Sequence, residues 1–183
     1  ANLYTRRRLL ELGLSACSGG VTTLFLSQRA SAAGFRAPND QPGIGLIGAG
    51  GRGMAVAQEA ARFGRIVAVC DADLEHAEQA GNRFGGGCRV CQDYRELLDQ
   101  KDVDVVINAT PDHWHTLINV AALRAGKDVY AEKPITLTFE EGRILRQVVQ
   151  ETGRVVQVGT QQRSVAHFRL ACQLVRNGWI GTL

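Results

Sequence analysis

Long apolar runs are nearly absent from this chain of 183 residues. The most apolar stretch, Leu12 to Leu26, is short for a membrane-spanning helix and is interrupted by Ser, Thr, Cys and Gly residues. Internal repeats and low-complexity tracts are also missing, which excludes solenoid and other repeat architectures. The mature protein is therefore not expected to be embedded in a membrane.

A surplus of charge of one sign is also missing once residues 1–32 are set apart. The chain has 21 Lys and Arg residues against 18 Asp and Glu residues, and residues 1–32 contribute four arginines and one glutamate. The remainder holds 21 − 4 = 17 basic and 18 − 1 = 17 acidic residues, so it is formally neutral. A basic surface is not predicted, and no nucleic-acid partner is expected.

The five cysteines lack the spacing of a metal site. Cys88-Arg-Val-Cys91 is a pair separated by two residues, but no second pair completes a zinc site. Cys70 and Cys172 fit small core residues. We predict no metal site, and a zinc or redox role for Cys88 and Cys91 is the less favoured alternative.

Residues 1–32 have the pattern of an export signal. Arg6 to Arg8 form a cationic start, an apolar segment follows, and Ala30-Ser31-Ala32 supplies small residues for cleavage after Ala32. Thr5-Arg6-Arg7-Arg8-Leu9-Leu10 resembles a twin-arginine motif, so we expect export by the twin-arginine machinery to the periplasm or beyond. The alternatives are a retained anchoring helix and a lipoprotein, because Leu14-Ser15-Ala16-Cys17 imitates a lipoprotein cleavage box.

The remaining chain alternates between short β-rich runs and helix patterns. This order predicts an α/β fold, a Rossmann-type doubly wound parallel sheet over 44–163, with a linker over 33–43 before it. The runs do not alternate in polarity, as expected for strands buried on both faces. The predicted strands are Ile44 to Ile47, Ile66 to Cys70, Arg89 to Cys91, Val103 to Ala109, Asp128 to Ala131 and Val155 to Val158.

Several helix ends are also recognisable. Thr138-Phe-Glu-Glu141 predicts a capping box for a helix that Gly153 closes. The helix after Asp112 is expected to stop at Gly126 in a left-handed cap. A last helix is predicted from Val165 to Asn177, with one apolar face left uncovered.

A glycine-rich loop follows the first predicted strand and leads into a helix that begins near Met54. Its sequence, Gly48-Ala-Gly50-Gly51-Arg52-Gly53, matches the dinucleotide-binding fingerprint in the context that the fingerprint needs. Gly48 permits a tight turn, Gly50 the close approach of a pyrophosphate, and Gly53 the contact of helix with strand. Helix N–H groups then face the phosphates. We predict that Gly48, Gly50, Gly51, Arg52, Gly53 and Met54 bind the cofactor.

Asp71 follows the second predicted strand, 71 − 53 = 18 residues after the last glycine of the loop. A carboxylate there can accept hydrogen bonds from the adenosine ribose and would repel a 2′-phosphate. NAD is therefore favoured over NADP. The alternative for Asp71, and the preferred interpretation of Asp73, is a cap on the helix that follows.

Two further segments carry a family resemblance. Ala109-Thr110-Pro111-Asp112-His113-Trp114-His115 and Ala125-Gly-Lys-Asp-Val-Tyr-Ala-Glu132-Lys133-Pro134 resemble, together with the glycine loop, the Gfo/Idh/MocA family of oxidoreductases. The resemblance runs from about Ile44 to the end of the chain, and Glu-Lys-Pro is its most specific element. It implies an NAD(P)-dependent oxidoreductase that acts on a sugar or polyol hydroxyl.

The resemblance also implies residue roles. Lys133 is expected beside the nicotinamide and the substrate, where an ammonium can polarise or help deprotonate a hydroxyl. Glu132 is expected to accept from the nicotinamide ribose, and His115 is a second catalytic candidate. Asp112 stands where the family usually has asparagine and is expected to cap the next helix. Cofactor contacts are also expected from Thr110, Pro111, Asp112, His113, Lys133 and Gln161, the last in place of an asparagine near the carboxamide.

Members of this family have a second, largely antiparallel domain, and 164–183 is expected to be its truncated start. We therefore expect this chain to bind a dinucleotide with little turnover and to be part of a longer protein, itself a homo-oligomer. Twin-arginine export carries folded proteins, so a tightly held cofactor is expected. The alternatives are an NAD-dependent glycoside hydrolase with no net redox change and a non-catalytic dinucleotide-binding protein.

Overall fold

Six parallel strands form one sheet in the computed structural model, which describes residues 41–181. The strand order is β3-β2-β1-β4-β5-β6, so the chain starts in the middle of the sheet and winds outward to both edges. This is the order of the dinucleotide-binding fold, and the prediction of a doubly wound parallel sheet is confirmed. The strands are β1 (Gly43–Ile47), β2 (Arg65–Cys70), β3 (Arg89–Cys91), β4 (Val105–Asn108), β5 (Asp128–Glu132) and β6 (Val156–Gly159).

Helices connect the strands, and their ends follow local sequence signals. Thr138 and Glu141 form the predicted reciprocal capping box, and Gly153 and Gly126 adopt left-handed φ values of 63° and 78°. Asp112 does not cap a helix as expected, because a 3₁₀ turn over Asp112–Trp114 precedes the α-helix. The α-helices are α1 (Gly51–Ala60), α2 (Leu74–Phe84), α3 (Tyr94–Leu98), α4 (His115–Arg124), α5 (Phe139–Thr152) and α6 (Ala166–Arg176), and a second 3₁₀ turn spans Gln161–Ser164.

Apolar side chains are buried on both faces of the sheet. On one face, strand residues such as Val106 and Val129 pack with Leu123 of α4 and Leu145 of α5. On the other face, a second cluster packs strand residues such as Leu46 against α1 and α2. Burial on both faces explains why apolar and polar residues do not alternate along the strands, as predicted.

The cysteines group differently from the prediction. Cys70 and Cys91 are in-register partners on β2 and β3, and both are buried as free thiols. Cys88 is only partly buried, and Cys172 is exposed on α6, so the prediction of a core position for Cys172 is wrong. The neighbouring Cys91 thiol, followed by burial, raises the pKa of Cys70. Strand pairing, rather than spacing along the chain, thus decides which cysteines meet.

The apolar face of α6 is uncovered within the described residues, as predicted. None of its residues is buried, and Phe168, Leu170 and Leu174 remain 45%, 55% and 36% exposed. The predicted signal peptide and most of the predicted linker lie outside the described residues. Between residues 41 and 181, no helix combines the length and the apolar character that crossing a membrane would require.

Candidate dinucleotide site

A cavity of about 960 Å³ lies at the carboxyl ends of the central strands. It adjoins the ends of β1 and β4, where the strand order reverses and where open parallel sheets bind their ligands. Several residues predicted from the sequence line it together: Gly48, Gly50, Gly53, Asp71, Thr110 and Pro111. Its volume lies in the range usual for cofactor sites.

The glycine loop has the geometry that the fingerprint predicts. Gly48 has a φ of 89°, and a Cβ on Gly53 would lie 1.8 Å from the Gly48 carbonyl oxygen, so loop and helix touch through backbone alone. A Cβ on Gly50 would meet no atom within 4 Å, which leaves room at the cavity for a ligand. The first hydrogen bond of α1 runs from the Met54 N–H to the Gly50 oxygen at 2.9 Å. The preceding N–H groups of α1 therefore remain for an anion.

Met54, predicted as a cofactor contact, does not line the cavity. Its N–H is used within α1, and its side chain packs against the second core cluster. Met54 is a core residue that supports the start of α1.

Asp71 joins the glycine loop to the end of β2. One carboxylate oxygen accepts from the Ala49 N–H at 2.7 Å, and the other accepts from the Asp73 N–H at 3.0 Å. Asp73 is the residue that caps α2, by accepting from the Glu75 N–H at 3.0 Å. Each oxygen of Asp71 keeps a lone pair for a ribose hydroxyl. The site therefore fits a dinucleotide. There is open space at Gly50 and there are helix N–H groups for the phosphates, and the half-buried Asp71 carboxylate is available for a ribose.

Arg52 and Glu132 connect the glycine loop with the end of β5. Arg52 donates from Nε at 2.9 Å and from Nη2 at 2.7 Å, both to Oε1 of Glu132. The Glu132 side chain is 5% exposed and the Arg52 side chain is 42% exposed. A buried carboxylate without a partner is strongly destabilising, so the ion pair stabilises Glu132 in this position. The sequence places both residues in the site, but it does not indicate that they bind each other.

Lys133 follows Glu132 directly and is exposed. The peptide bond from Lys133 to Pro134 is cis. The Lys133 N–H makes a long contact of 3.4 Å with Oε2 of Glu132. Lys133 does not line the cavity at the glycine loop, and Glu132 with Arg52 forms the link between the two.

His115, predicted as a second catalytic candidate, is buried. The imidazole is 1% exposed, with Nε2 2.8 Å from the Thr110 carbonyl oxygen and Nδ1 in contact with the Pro134 carbonyl oxygen. Both ring nitrogens thus face backbone carbonyl oxygens, and His115 does not line the cavity. His115 ties the loop after β4 to the turn after β5, which is a positioning role.

Asn108 and Asn119 were not predicted, although both organise the same loop. The side-chain oxygen of Asn108 accepts from the Thr110 hydroxyl at 2.7 Å, and its amide donates to Asn119 at 2.8 Å and to the His115 carbonyl at 3.2 Å. Both asparagines are fully buried. The sequence signal that could have indicated Asn108 is an amide side chain at the end of an apolar strand. Burial of a polar group is unfavourable unless it forms hydrogen bonds, so such a residue is expected to have a structural or functional partner.

Three other residues predicted to contact the cofactor do not line the cavity. Asp112 and His113 are exposed in the 3₁₀ turn, and Gln161 is exposed at the start of the turn after β6. The unpredicted Trp114 lines the cavity instead. The cavity walls also include Asp93, whose pKa is lowered by the Arg95 N–H and then by the Arg95 guanidinium.

Lys127, within the Ala125-to-Pro134 motif, has a structural position. It is buried, and its ammonium donates to the carbonyl oxygens of Gln100 at 2.7 Å and Val103 at 2.8 Å. It therefore closes the loop that leads into β4. Within residues 41–181, no three His, Cys, Asp or Glu side chains come close enough to hold a metal ion together.

Comparison with known proteins identifies one family over this domain. The model of the Gfo/Idh/MocA oxidoreductases, described as an oxidoreductase family with an NAD-binding Rossmann fold, matches residues 43–160. A glycosyl hydrolase family 109 protein of Shewanella sp. (strain ANA-3) is 35% identical over 142 residues, which cover 70% of this chain and 31% of the relative. The chain thus spans about a third of that relative's length.

Solved structures agree in fold. The scyllo-inositol dehydrogenase of Lactobacillus casei, with bound NAD(H) and scyllo-inositol, has a TM-score of 0.68 at 28% identity, over 77% of this chain and 42% of that one. A 3-ketoreductase of Actinomadura kijaniata, in complex with TDP-benzene and NADP, has a TM-score of 0.69 at 28% identity, over 77% and 45%. With the glycine loop, the strand order and the family match in agreement, the chain belongs to the Gfo/Idh/MocA oxidoreductase family and has its NAD-binding Rossmann fold.

Proposed function

We propose that this chain is the NAD-binding part of an oxidoreductase that acts on a hydroxyl group of a sugar or polyol. The observation that carries the proposal is the Asp71 carboxylate, which lies beside the glycine loop at the cavity. Its negative charge favours two ribose hydroxyls and disfavours a 2′-phosphate, so NAD is preferred to NADP. The related inositol dehydrogenase, whose structure holds NAD(H) and scyllo-inositol, supports the substrate class.

Different residues of this chain are proposed to bind the phosphates, the ribose and the substrate. The N–H groups at the start of α1 bind the phosphates, and Asp71 orients the adenosine ribose. A bound nicotinamide supplies the hydride acceptor. Lys133 lies exposed directly after β5. There its ammonium can donate a hydrogen bond to a substrate hydroxyl, and its neutral amine form can take the hydroxyl proton. Asn108 and His115 hold the two loops that define this end of the site.

The test compares the binding of NAD⁺ and NADP⁺ to this chain. Titration calorimetry should give a lower dissociation constant for NAD⁺ than for NADP⁺, and Asp71→Asn should narrow that preference because it removes the charge but keeps the size. Asp99→Asn, at the end of α3, is the control and should leave the preference unchanged. Equal affinity of the wild-type chain for both dinucleotides would overturn the assignment to NAD.

Cleavage of a glycosidic bond with no net oxidation is the second candidate, because a related protein is named a glycosyl hydrolase of family 109. The longer protein should then release sugar from a glycoside without accumulating reduced dinucleotide. Oxidation of a free sugar with stoichiometric reduction would support the first candidate. Product analysis by NMR with parallel absorbance measurement separates the two.

We also propose twin-arginine export to the periplasm, with the cofactor taken up before transport, and homo-oligomerisation of the longer protein. Expression with residues 1–32 followed by fractionation should recover a periplasmic protein cleaved after Ala32 that releases NAD(H) on denaturation. Replacement of Arg6 and Arg7 by lysine should retain it in the cytoplasm. Periplasmic recovery of that variant would contradict the twin-arginine route. Analytical ultracentrifugation of the longer protein tests the proposed homo-oligomer, and a monomeric mass would contradict it.

A further inference from the structure

The ion pair between Arg52 and Glu132 joins two segments that are 80 residues apart in the sequence. We propose that Arg52 is a positioning residue that couples the pyrophosphate end of the site to the second ribose of the dinucleotide by holding the Glu132 carboxylate. This inference rests on the proposed dinucleotide binding.

The contact geometry shows that Arg52 orients one oxygen of Glu132 and leaves the other available. Both donated hydrogen bonds, at 2.9 and 2.7 Å, end on Oε1. Oε2 has only the long 3.4 Å contact with the Lys133 N–H. A carboxylate held in this way can accept a hydrogen bond from a ribose hydroxyl through Oε2.

The packing around Glu132 limits where its carboxylate can go. A Cβ added to Gly159 on β6 would lie 2.9 Å from Oε1 of Glu132 and 3.0 Å from the Tyr130 hydroxyl. The glycine therefore makes room for the carboxylate in the position in which Arg52 holds it. This close packing is a second observation, separate from the ion pair, that restricts the Glu132 carboxylate.

The Arg52 guanidinium also has N–H donors that it does not use on Glu132. An arginine has five N–H donors, and two of them are used on Glu132. Arg52 is the second residue of α1, lines the cavity and is 42% exposed. A phosphate at the start of α1 can thus be bound by the same guanidinium that holds Glu132.

A purely structural ion pair would stabilise the fold and treat all ligands alike. A coupling residue has a different signature, because it affects ligands according to how far they extend from the adenosine. AMP, ADP, ADP-ribose and NAD⁺ form such a series: ADP adds the pyrophosphate, and ADP-ribose adds the second ribose.

The experiment measures dissociation constants of this series for wild type, Arg52→Met, Arg52→Lys and Glu132→Gln, with thermal melts to verify folding. Arg52→Met should weaken ADP, and should weaken ADP-ribose and NAD⁺ by about a further tenfold, the loss of one charged hydrogen bond. Glu132→Gln should weaken only ADP-ribose and NAD⁺. Arg52→Lys should retain ADP binding but should still bind ADP-ribose and NAD⁺ more weakly than wild type. A lysine ammonium cannot donate two hydrogen bonds to Glu132 in the geometry of the guanidinium.

Controls and outcomes distinguish this inference from the proposed function. Arg62→Met removes an exposed arginine that lies just beyond α1 and pairs with Glu59 of that helix. It should change no dissociation constant. Equal losses for ADP and ADP-ribose in Arg52→Met, or no loss for either, would overturn the coupling while dinucleotide binding stands. A wild-type chain that binds no member of the series would overturn the proposed function and this inference together.

Discussion

At the scale of single residues, His115 carries more of the local structure than its motif suggests. Its two ring nitrogens lie against the carbonyl oxygens of Thr110 and Pro134, and the ring is buried. Removing it leaves both carbonyls without this partner and opens a cavity.

We expect His115→Ala to lower the free energy of unfolding by about 3 kcal/mol, since a buried hydrogen bond and the packing of the ring are lost together. Urea denaturation measures the change. His113→Ala is the matched control, because His113 is exposed in the adjoining turn, and it should cost less than about 0.5 kcal/mol. Equal losses for the two variants would contradict the positioning role.

Replacing two glycines of the loop by alanine should lower stability to different extents. A Cβ on Gly53 would overlap the Gly48 carbonyl oxygen, whereas a Cβ on Gly50 would enter open space. Gly53→Ala should therefore cost about 3 kcal/mol of stability. Gly50→Ala should cost about 1 kcal/mol, the difference between glycine and alanine at an N-cap.

The same pair tests the pyrophosphate position. Gly50→Ala should weaken NAD⁺ binding by about tenfold or more while the protein stays folded, because its methyl group fills ligand space. Calorimetry on both variants, with urea curves beside it, separates binding from folding. Normal NAD⁺ affinity in Gly50→Ala would place the pyrophosphate elsewhere.

At the scale of elements, α5 begins with a carboxylate that serves several donors. Glu141 accepts from the Leu137 N–H at 2.7 Å, the Thr116 hydroxyl at 3.0 Å and the Thr138 N–H at 3.4 Å. The Leu137 N–H, followed by the Thr116 hydroxyl, lowers the pKa of Glu141. The cap therefore also links α5 to α4.

A carboxyl whose pKa is lower in the folded state stabilises the protein above the pKa of the unfolded chain. This stability is lost as the pH falls through the lower, folded pKa. Glu141→Gln should thus be less stable than wild type near pH 7. The difference should shrink as the pH falls from about 4, the ordinary pKa of glutamate, through the lower folded pKa, because Glu141 becomes protonated over this range. Thermal melts across this range measure it, and a difference independent of pH would contradict the expectation.

Element ends and element order differ in how far sequence predicts them. The caps at Thr138, Gly126 and Gly153 were predicted because each depends on a few neighbouring residues. The missing cap at Asp112 shows the limit, since the chain inserts a 3₁₀ turn before α4 that a capping pattern does not reveal. Strand pairing is non-local, so the meeting of Cys70 with Cys91 had no sequence signal.

At the scale of the whole molecule, the lysine that we propose as catalytic is exposed. Lys133 is exposed, and the apolar face of α6 is uncovered within the described residues. Hydride transfer is favoured where water is excluded around the reacting groups. The chain also spans about a third of its glycosyl hydrolase relative.

We therefore expect the 183-residue chain to bind NAD⁺ and to show little or no turnover with sugars or polyols. The measurement is formation of reduced dinucleotide by absorbance across a substrate panel. Lys133→Met provides the background rate. Turnover by the unaltered chain clearly above that background would refute this expectation.

The amino-acid sequence by itself determined the α/β class, the strands, the glycine loop and the family, because these depend on local patterns and on motif spacing. Only the tertiary structure decided which side chains meet. Arg52 binds Glu132 and His115 bridges two loops because the sheet order brings the end of β5 beside β4 and the glycine loop. Contacts between residues far apart in the chain depend on that order, which no local pattern encodes.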